Sequence, residues 1–103
     1  MQTVALEPFS VAEEGGQLRV RGELDLAAVP ELRACVTATA LRDGAVILDL
    51  SDVEFVDVAG LSALTALAHE AQQGDWLLEM RDASLAVRRL ARLTGLQDLA
   101  PAA

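Results

Sequence analysis

The amino-acid sequence predicts a single α/β domain in which a mixed sheet of four to five strands packs with about three to four helices. The chain has 103 residues, of which 52% are hydrophobic and 23% charged, a composition typical of one folded domain with one core. An alternating segment with a glycine-rich turn comes first, and helical periodicities then alternate with short apolar runs, which is typical of helices packed on a partly parallel sheet. We expect the domain to span residues 1–103, with only residues 100–103 frayed.

The first two strands are predicted from alternation of apolar and polar residues. Val4 and Leu6 indicate a weak first strand, whereas Leu18 and Val20, which alternate with arginines, indicate a stronger second one. The segment Glu13-Glu14-Gly15-Gly16 has the composition of a hairpin turn between them.

The rest of the chain predicts the order α-β-α-β-α. A first helix is indicated by Pro30 near its start and by apolar residues at helical spacing, namely Val29, Leu32, Val36 and Ala40. The strand 46–50, the helix 59–73 and the strand 76–80 form one right-handed parallel crossover. A third helix begins after Ser84, a good N-cap, and ends at Gly95; its arginines 88, 89 and 92 are expected on a solvated face.

These periodicities also predict which side chains lie in the core. The set expected to be mostly buried comprises Leu18, Val20, Val46, Ile47, Leu48, Leu50, Leu64, Leu67, Leu77, Leu90 and Leu93.

The charge balance argues for a protein partner. Eight basic residues, all arginine, stand against 16 acidic ones, so the net charge is −8; this disfavours nucleic acid and direct contact with an anionic membrane. One cysteine, no visible signal peptide and no apolar run of the ~20 residues that a membrane helix needs predict a cytoplasmic protein.

Catalytic and metal chemistry find little support in the sequence. One histidine and one cysteine make a zinc site improbable, and the absence of lysine excludes the G-x-x-x-x-G-K-[ST] nucleotide-binding motif. Asp49 and Asp57 could bind magnesium or accept a phosphoryl group, but hydrogen bonding to backbone N–H groups in turns and at a helix start is the commoner role. Cys35 is expected to be a small core residue. We therefore expect no catalytic residue, no metal and no cofactor.

Four segments, in order, resemble the STAS domain, and specifically the bacterial anti-sigma factor antagonists. They are Gly22-Glu23-Leu24-Asp25, Val46-Ile47-Leu48-Asp49-Leu50-Ser51, Phe55-Val56-Asp57-Val58-Ala59-Gly60-Leu61, and Val87-Arg88-Arg89-Leu90 followed by Thr94-Gly95-Leu96. The resemblance implies a STAS-like fold and a non-catalytic protein that binds an anti-sigma factor with an ATP-binding kinase fold and thereby frees a sigma factor.

The resemblance also implies where the partner binds. Family members carry a D-[ST]-[ST]-G-type turn in which the partner phosphorylates the hydroxyl residue before the glycine, and this switches the antagonist off. Here Asp57 and Gly60 agree with that turn, but Val58 and Ala59 replace the hydroxyl residues. A methyl group cannot take a phosphate, so the switch is expected to be missing unless another residue such as Ser62 replaces it. The predicted partner-binding residues are Asp25, Asp57, Val58, Ala59, Gly60 and Ser62.

One alternative stays open: a non-catalytic STAS docking subunit of a lipid-transporting ABC-type assembly or of another regulatory assembly. Both hypotheses predict a monomer or weak homodimer that contacts another protein.

Overall fold

The computed structural model describes residues 8–95, which form four strands and three α-helices. In chain order these are β1 (Phe9–Glu14), β2 (Gln17–Leu24), a short 3-10 helix (Leu26–Ala28), α1 (Val29–Asp43), β3 (Ala45–Val56), α2 (Val58–Gly74), β4 (Leu77–Arg81) and α3 (Leu85–Thr94). The strands form one sheet in the order β1-β2-β3-β4. The predicted α/β class and mixed sheet are confirmed.

The sheet is mixed because its first connection is a hairpin and the later ones are helices. β1 and β2 pair antiparallel, whereas β2 with β3 and β3 with β4 pair parallel across α1 and α2. Parallel neighbours need such crossovers, since each chain segment must return to the same end of the sheet. No helix within residues 8–95 is long and apolar enough to span a membrane.

The hairpin differs from its prediction. Its first strand is Phe9–Glu14, while Val4 and Leu6 lie outside the described residues. Glu13 and Glu14 are paired with Leu18 and Gln17, so the turn is Gly15-Gly16 alone. Both glycines have positive φ, 58° and 86°, which a type I′ hairpin turn requires at both of its central positions. Glu13 and Glu14 therefore belong to β1 and not to the turn.

β3 is also longer than the predicted strand 46–50. It continues to the buried Val56, and Val53 is buried although its odd position breaks the alternation set by Val46, Leu48 and Leu50. Two register shifts against β2 accompany this change, since an irregularity turns the following side chains relative to the sheet.

A single core lies between the helices and one side of the sheet. On β3 it takes Val46, Leu48 and Leu50, and on α2 Leu64 and Leu67, as predicted. The remaining buried residues from the predicted set are Leu18 and Val20 on β2.

Four predicted core residues are placed differently. Leu77 and Leu93 are 74% and 82% exposed, and Ile47 and Leu90 are only half-buried. Leu77 pairs with Ala45, and Ile47 with Glu79, on the sheet side away from Val46 and Leu48. Leu93 follows the buried Ala91 by two positions, which places it on a different face of α3.

Candidate functional site

The candidate site forms where two parallel strands end side by side. β2 ends at Leu24 and β3 at Val56, and these two residues are register partners. Asp25 and Asp57 follow them directly, so the pairing of the strands brings the two predicted acids to one edge of the sheet. Crevices at the carboxyl ends of parallel strands are common binding positions in α/β sheets.

Asp57 caps the start of α2. Its backbone is extended, and its Oδ1 accepts a hydrogen bond of 2.7 Å from the Gly60 N–H. This bond satisfies one of the N–H groups that a helix start leaves without a partner, and the carboxylate sits favourably at the positive end of the helix dipole. The role that turn chemistry predicted for Asp57 is thus observed.

Asp57 also links two loops. Its Oδ2 accepts a 3.3 Å hydrogen bond from the Leu26 N–H, 31 residues earlier in the chain. Its own N–H donates to the Leu24 carbonyl oxygen at 3.3 Å. One aspartate therefore holds the segment after β2 against the start of α2.

Asp25 has a more local role. Its Oδ1 accepts a 3.1 Å hydrogen bond from the Ala28 N–H, which caps the short 3-10 helix, and the residue is half-buried. Asp25 and Asp57 are thus neighbours that each organise a turn.

Gly60 lets α2 approach β2 closely. A Cβ built on Gly60 would collide with the Leu24 carbonyl oxygen and lie 2.9 Å from the Leu24 Cγ. Both are parts of a fully buried residue, so neither can move aside at low cost. Gly60 itself is buried, and its role in the site is to fix the position of the helix start.

The solvent-facing part of the site is apolar at its centre. Val58, the first residue of α2, is 60% exposed, and Leu26, on the linked loop, is 70% exposed. Ala59 is half-buried and Ser62 is exposed. The structure thus brings Asp25, Asp57, Val58, Ala59 and Gly60 together, with Ser62 about one turn further along α2.

Leu26 is a site residue that the sequence analysis missed. The long-range hydrogen bond from its N–H to Asp57 leaves no trace in the sequence. A usable signal was its position, since a large apolar residue directly after a capping aspartate lies outside every core periodicity of the chain. We name Leu26, Asp57 and Val58 the capped loop surface.

Asp49 and Asp57 do not form a joint site. They are eight residues apart, with the whole second half of β3 between them, which at ~3.3 Å per residue places them roughly 25 Å apart. Asp49 accepts hydrogen bonds at 2.9 and 2.6 Å from the backbone N–H and the hydroxyl of Ser51, and it lies 3.6 Å from an Arg19 guanidinium nitrogen.

The environment of Asp49 sets its charge. Burial raises the pKa of Asp49, but the two hydrogen bonds from Ser51 and the positive charge of Arg19 outweigh it, so the pKa is lowered overall. The carboxylate therefore stays ionised and performs a structural role in the sheet.

In the part of the chain that the structure describes, neither Cys35 nor the acidic residues are placed in a way that points to nucleophilic or metal chemistry. Burial, followed by the nearby charge of Glu31, raises the pKa of the half-buried Cys35 thiol, which keeps it protonated. Within residues 8–95, no three His, Cys, Asp or Glu side chains are grouped so that they could hold a metal ion.

The fold is that of a small α/β domain, and comparison with known proteins identifies it as a STAS domain. The family model described as "Mlab, STAS domain" matches residues 9–101. The anti-sigma-B factor antagonist of Staphylococcus aureus is 33% identical over 85 residues, which cover 81% of this chain and 78% of that protein. The chain therefore belongs to the STAS domain family of anti-sigma factor antagonists.

Solved structures show the same fold. An anti-sigma factor antagonist from Mycobacterium paratuberculosis is 30% identical, with a TM-score of 0.66, and the match covers 90% of this chain and 81% of that one. The antagonist SpoIIAA in its unphosphorylated form also has a TM-score of 0.66, at 21% identity, over 92% of this chain and 87% of that one.

Proposed function

We propose that this protein binds an anti-sigma factor of the ATP-binding kinase fold, without catalysis, and so frees a sigma factor. The observation that carries the proposal is the capped loop surface, where one aspartate holds two loops together and exposes Leu26 and Val58. The similarity to named anti-sigma factor antagonists supports the choice of partner.

The chemistry of the capped loop surface suits a protein interface. Its apolar side chains stand among carboxylates that already accept hydrogen bonds from the chain itself. A partner can therefore cover Leu26 and Val58 without leaving these acids unpaired, which is the main cost of burying charge. The remaining acidity of the protein favours a partner surface that carries arginines.

We further propose that the antagonist has no phosphorylation switch. The family turn places its phosphoacceptor at position 59, where this chain has a half-buried alanine in the first turn of α2. Ser62 is exposed but lies three residues later, ~4–5 Å further along the helix axis. A kinase that aims at position 59 would not reach it in line, because positioning accounts for most of phosphoryl-transfer catalysis.

A binding experiment tests the surface. With the cognate anti-sigma factor, Val58→Gln and Asp25→Asn are expected to weaken binding, whereas Leu41→Gln is not. Leu41 is 84% exposed but lies near the end of α1, which leads into the start of β3 at the far end of the sheet. Asn at position 25 keeps an oxygen for the cap, so the fold is preserved. Equal affinities for Val58→Gln and Leu41→Gln would place the interface elsewhere.

A phosphorylation experiment tests the missing switch. Incubation with that anti-sigma factor and ATP should leave the wild-type mass unchanged, while Ala59→Ser should gain one phosphate and then bind less well, because the added charge meets the partner. Wild type that is phosphorylated as fast as Ala59→Ser, and no longer so after Ser62→Ala, would show that Ser62 is a relocated acceptor.

Affinity purification from the native cell separates the two STAS hypotheses. An anti-sigma factor as the stable partner supports the proposed function. A transporter ATPase instead would favour the docking-subunit alternative.

A further inference from the structure

The eight arginines of the chain fall into two groups. Five lie within ion-pair distance of a carboxylate: Arg19, Arg21, Arg33, Arg42 and Arg81. The ion pairs formed within residues 8–95 include none of the other three, Arg88, Arg89 and Arg92, which lie together on α3. The chain has twice as many acids as arginines, so a shortage of carboxylates does not explain this distribution.

The three arginines share one exposed side of α3 with two leucines. Val87 and Ala91 bury the opposite side in the core. Leu85 and Leu93, 53% and 82% exposed, stand at the two ends of the arginines. We name these five residues (Leu85, Arg88, Arg89, Arg92 and Leu93) the α3 arginine face. It extends over nine residues, or about 12 Å along the helix axis.

This arrangement costs the isolated helix some stability. Arg88 and Arg92 are four positions apart, where like charges repel each other, and neither takes part in an ion pair formed within residues 8–95. Exposed leucines add apolar surface to water. On a helix side that only faces water, charges of both signs would be more favourable than arginines alone. Arginines beside apolar residues are typical of protein interfaces.

We propose that the α3 arginine face binds an acidic, amphipathic segment of a partner protein. Carboxylates three or four residues apart on that segment would pair with the arginines, each guanidinium offering two parallel N–H donors. Apolar residues at its ends would cover Leu85 and Leu93. This surface contains none of the residues of the capped loop surface, so the proposal does not rest on the proposed function.

Nucleic acid and anionic membrane fit the observations less well than an acidic protein segment. Both are extended polyanions, and the net charge of −8 would repel them from the molecule as a whole. A membrane-surface helix also needs a wide apolar face, but the inner side of α3 is already occupied by the core. A short acidic segment meets the three arginines locally and avoids most of this repulsion.

Site-specific photo-crosslinking in the native cell tests the proposal. A photoreactive amino acid replaces Leu93 in the full chain, and the matched control replaces Leu41, which is 84% exposed near the end of α1. Capture of a protein does not suffice as support. The probe at position 93, but not at position 41, is expected to cross-link to a peptide with carboxylates at intervals of three or four residues.

Charge variants then test the mechanism. Changing Arg88, Arg89 and Arg92 together to glutamine should lower the cross-link yield at least about tenfold. Changing all three to lysine should lower it less, because lysine keeps the charge but lacks the two parallel N–H donors. Circular dichroism of each variant confirms that α3 remains folded. Changing the carboxylates of the captured peptide to arginine should restore cross-linking to the variant in which all three arginines are glutamate.

Several results would overturn the proposal. They are cross-links to lipid, to nucleic acid or to a second copy of this chain; a captured peptide without carboxylates; equal yields at positions 93 and 41; or a yield that the glutamine variant leaves unchanged.

Discussion

Gly60 is the residue on which the placement of α2 depends, because the Leu24 carbonyl occupies the space of a Cβ. Gly60→Ala should lower the free energy of unfolding by about 1–3 kcal/mol, since overlap with buried backbone outweighs the better helix propensity of alanine. Gly74→Ala in the same helix is the matched control. Its Cβ would lie 3.0 Å from the Trp76 side chain, which can shift, so we expect little loss. Denaturant unfolding measures both, and equal losses would contradict this account.

The capping residues of α3 and α2 differ in the number of backbone N–H groups that their side chains bind. Ser84 caps only α3, through a 3.3 Å bond from the Val87 N–H, whereas Asp57 caps α2 and also holds the Leu26 N–H. Ser84→Ala should cost about 1 kcal/mol of unfolding free energy, and Asp57→Ala about 2 kcal/mol because two bonds are lost.

The link between the loops has its own readout in this comparison. Hydrogen exchange at the Leu26 amide should accelerate in Asp57→Ala but stay unchanged in Ser84→Ala. Unchanged exchange at Leu26 in both variants would mean that Asp57 acts only as a cap.

The stability of the whole molecule should depend on pH through the charge cluster on the sheet. Arg19 lies 3.5–3.6 Å from carboxylate oxygens of Glu14, Asp49 and Asp52. Because the pKa of Asp49 is lower in the folded protein than its ordinary value of about 3.9, its ionised form favours folding. This contribution is complete above the ordinary pKa and is lost as the pH falls towards the folded pKa.

Asp49→Asn should therefore remove part of the acid sensitivity of the fold. Denaturant unfolding between about pH 6 and pH 3 is expected to show a shallower fall in stability for Asp49→Asn than for wild type. Glu54→Gln, at an exposed position of the same strand, serves as the control and should follow wild type. A wild-type slope in Asp49→Asn would assign the acid sensitivity to other groups.

The sequence predicted those features of the fold that depend on neighbouring residues better than those that depend on contacts between distant parts of the chain. Local signals succeeded: Pro30, Ser84 and Gly95 mark helix ends where turn chemistry places them. Periodicity wrongly predicted that Leu77 and Leu93 are buried. An apolar side chain is buried only where another element packs against it, and the sequence pattern does not show which element that is. The candidate site was predicted only in part. The Asp57–Gly60 turn is local, but the link from Asp57 to Leu26 depends on the pairing of β2 with β3.

The glycine pair at the tip of the first hairpin has a practical consequence. Side chains built at Gly15 and Gly16 would meet nothing within 4 Å, and the tip lies at the start of β2, whose eight residues place it about 25 Å from the capped loop surface. A peptide tag could be inserted between Gly15 and Gly16. If the tag has flexible flanking residues, none of its own residues has to adopt the positive φ that the two glycines have. Tethering the protein to a biosensor chip by this tip would present the opposite end of the sheet to an injected partner.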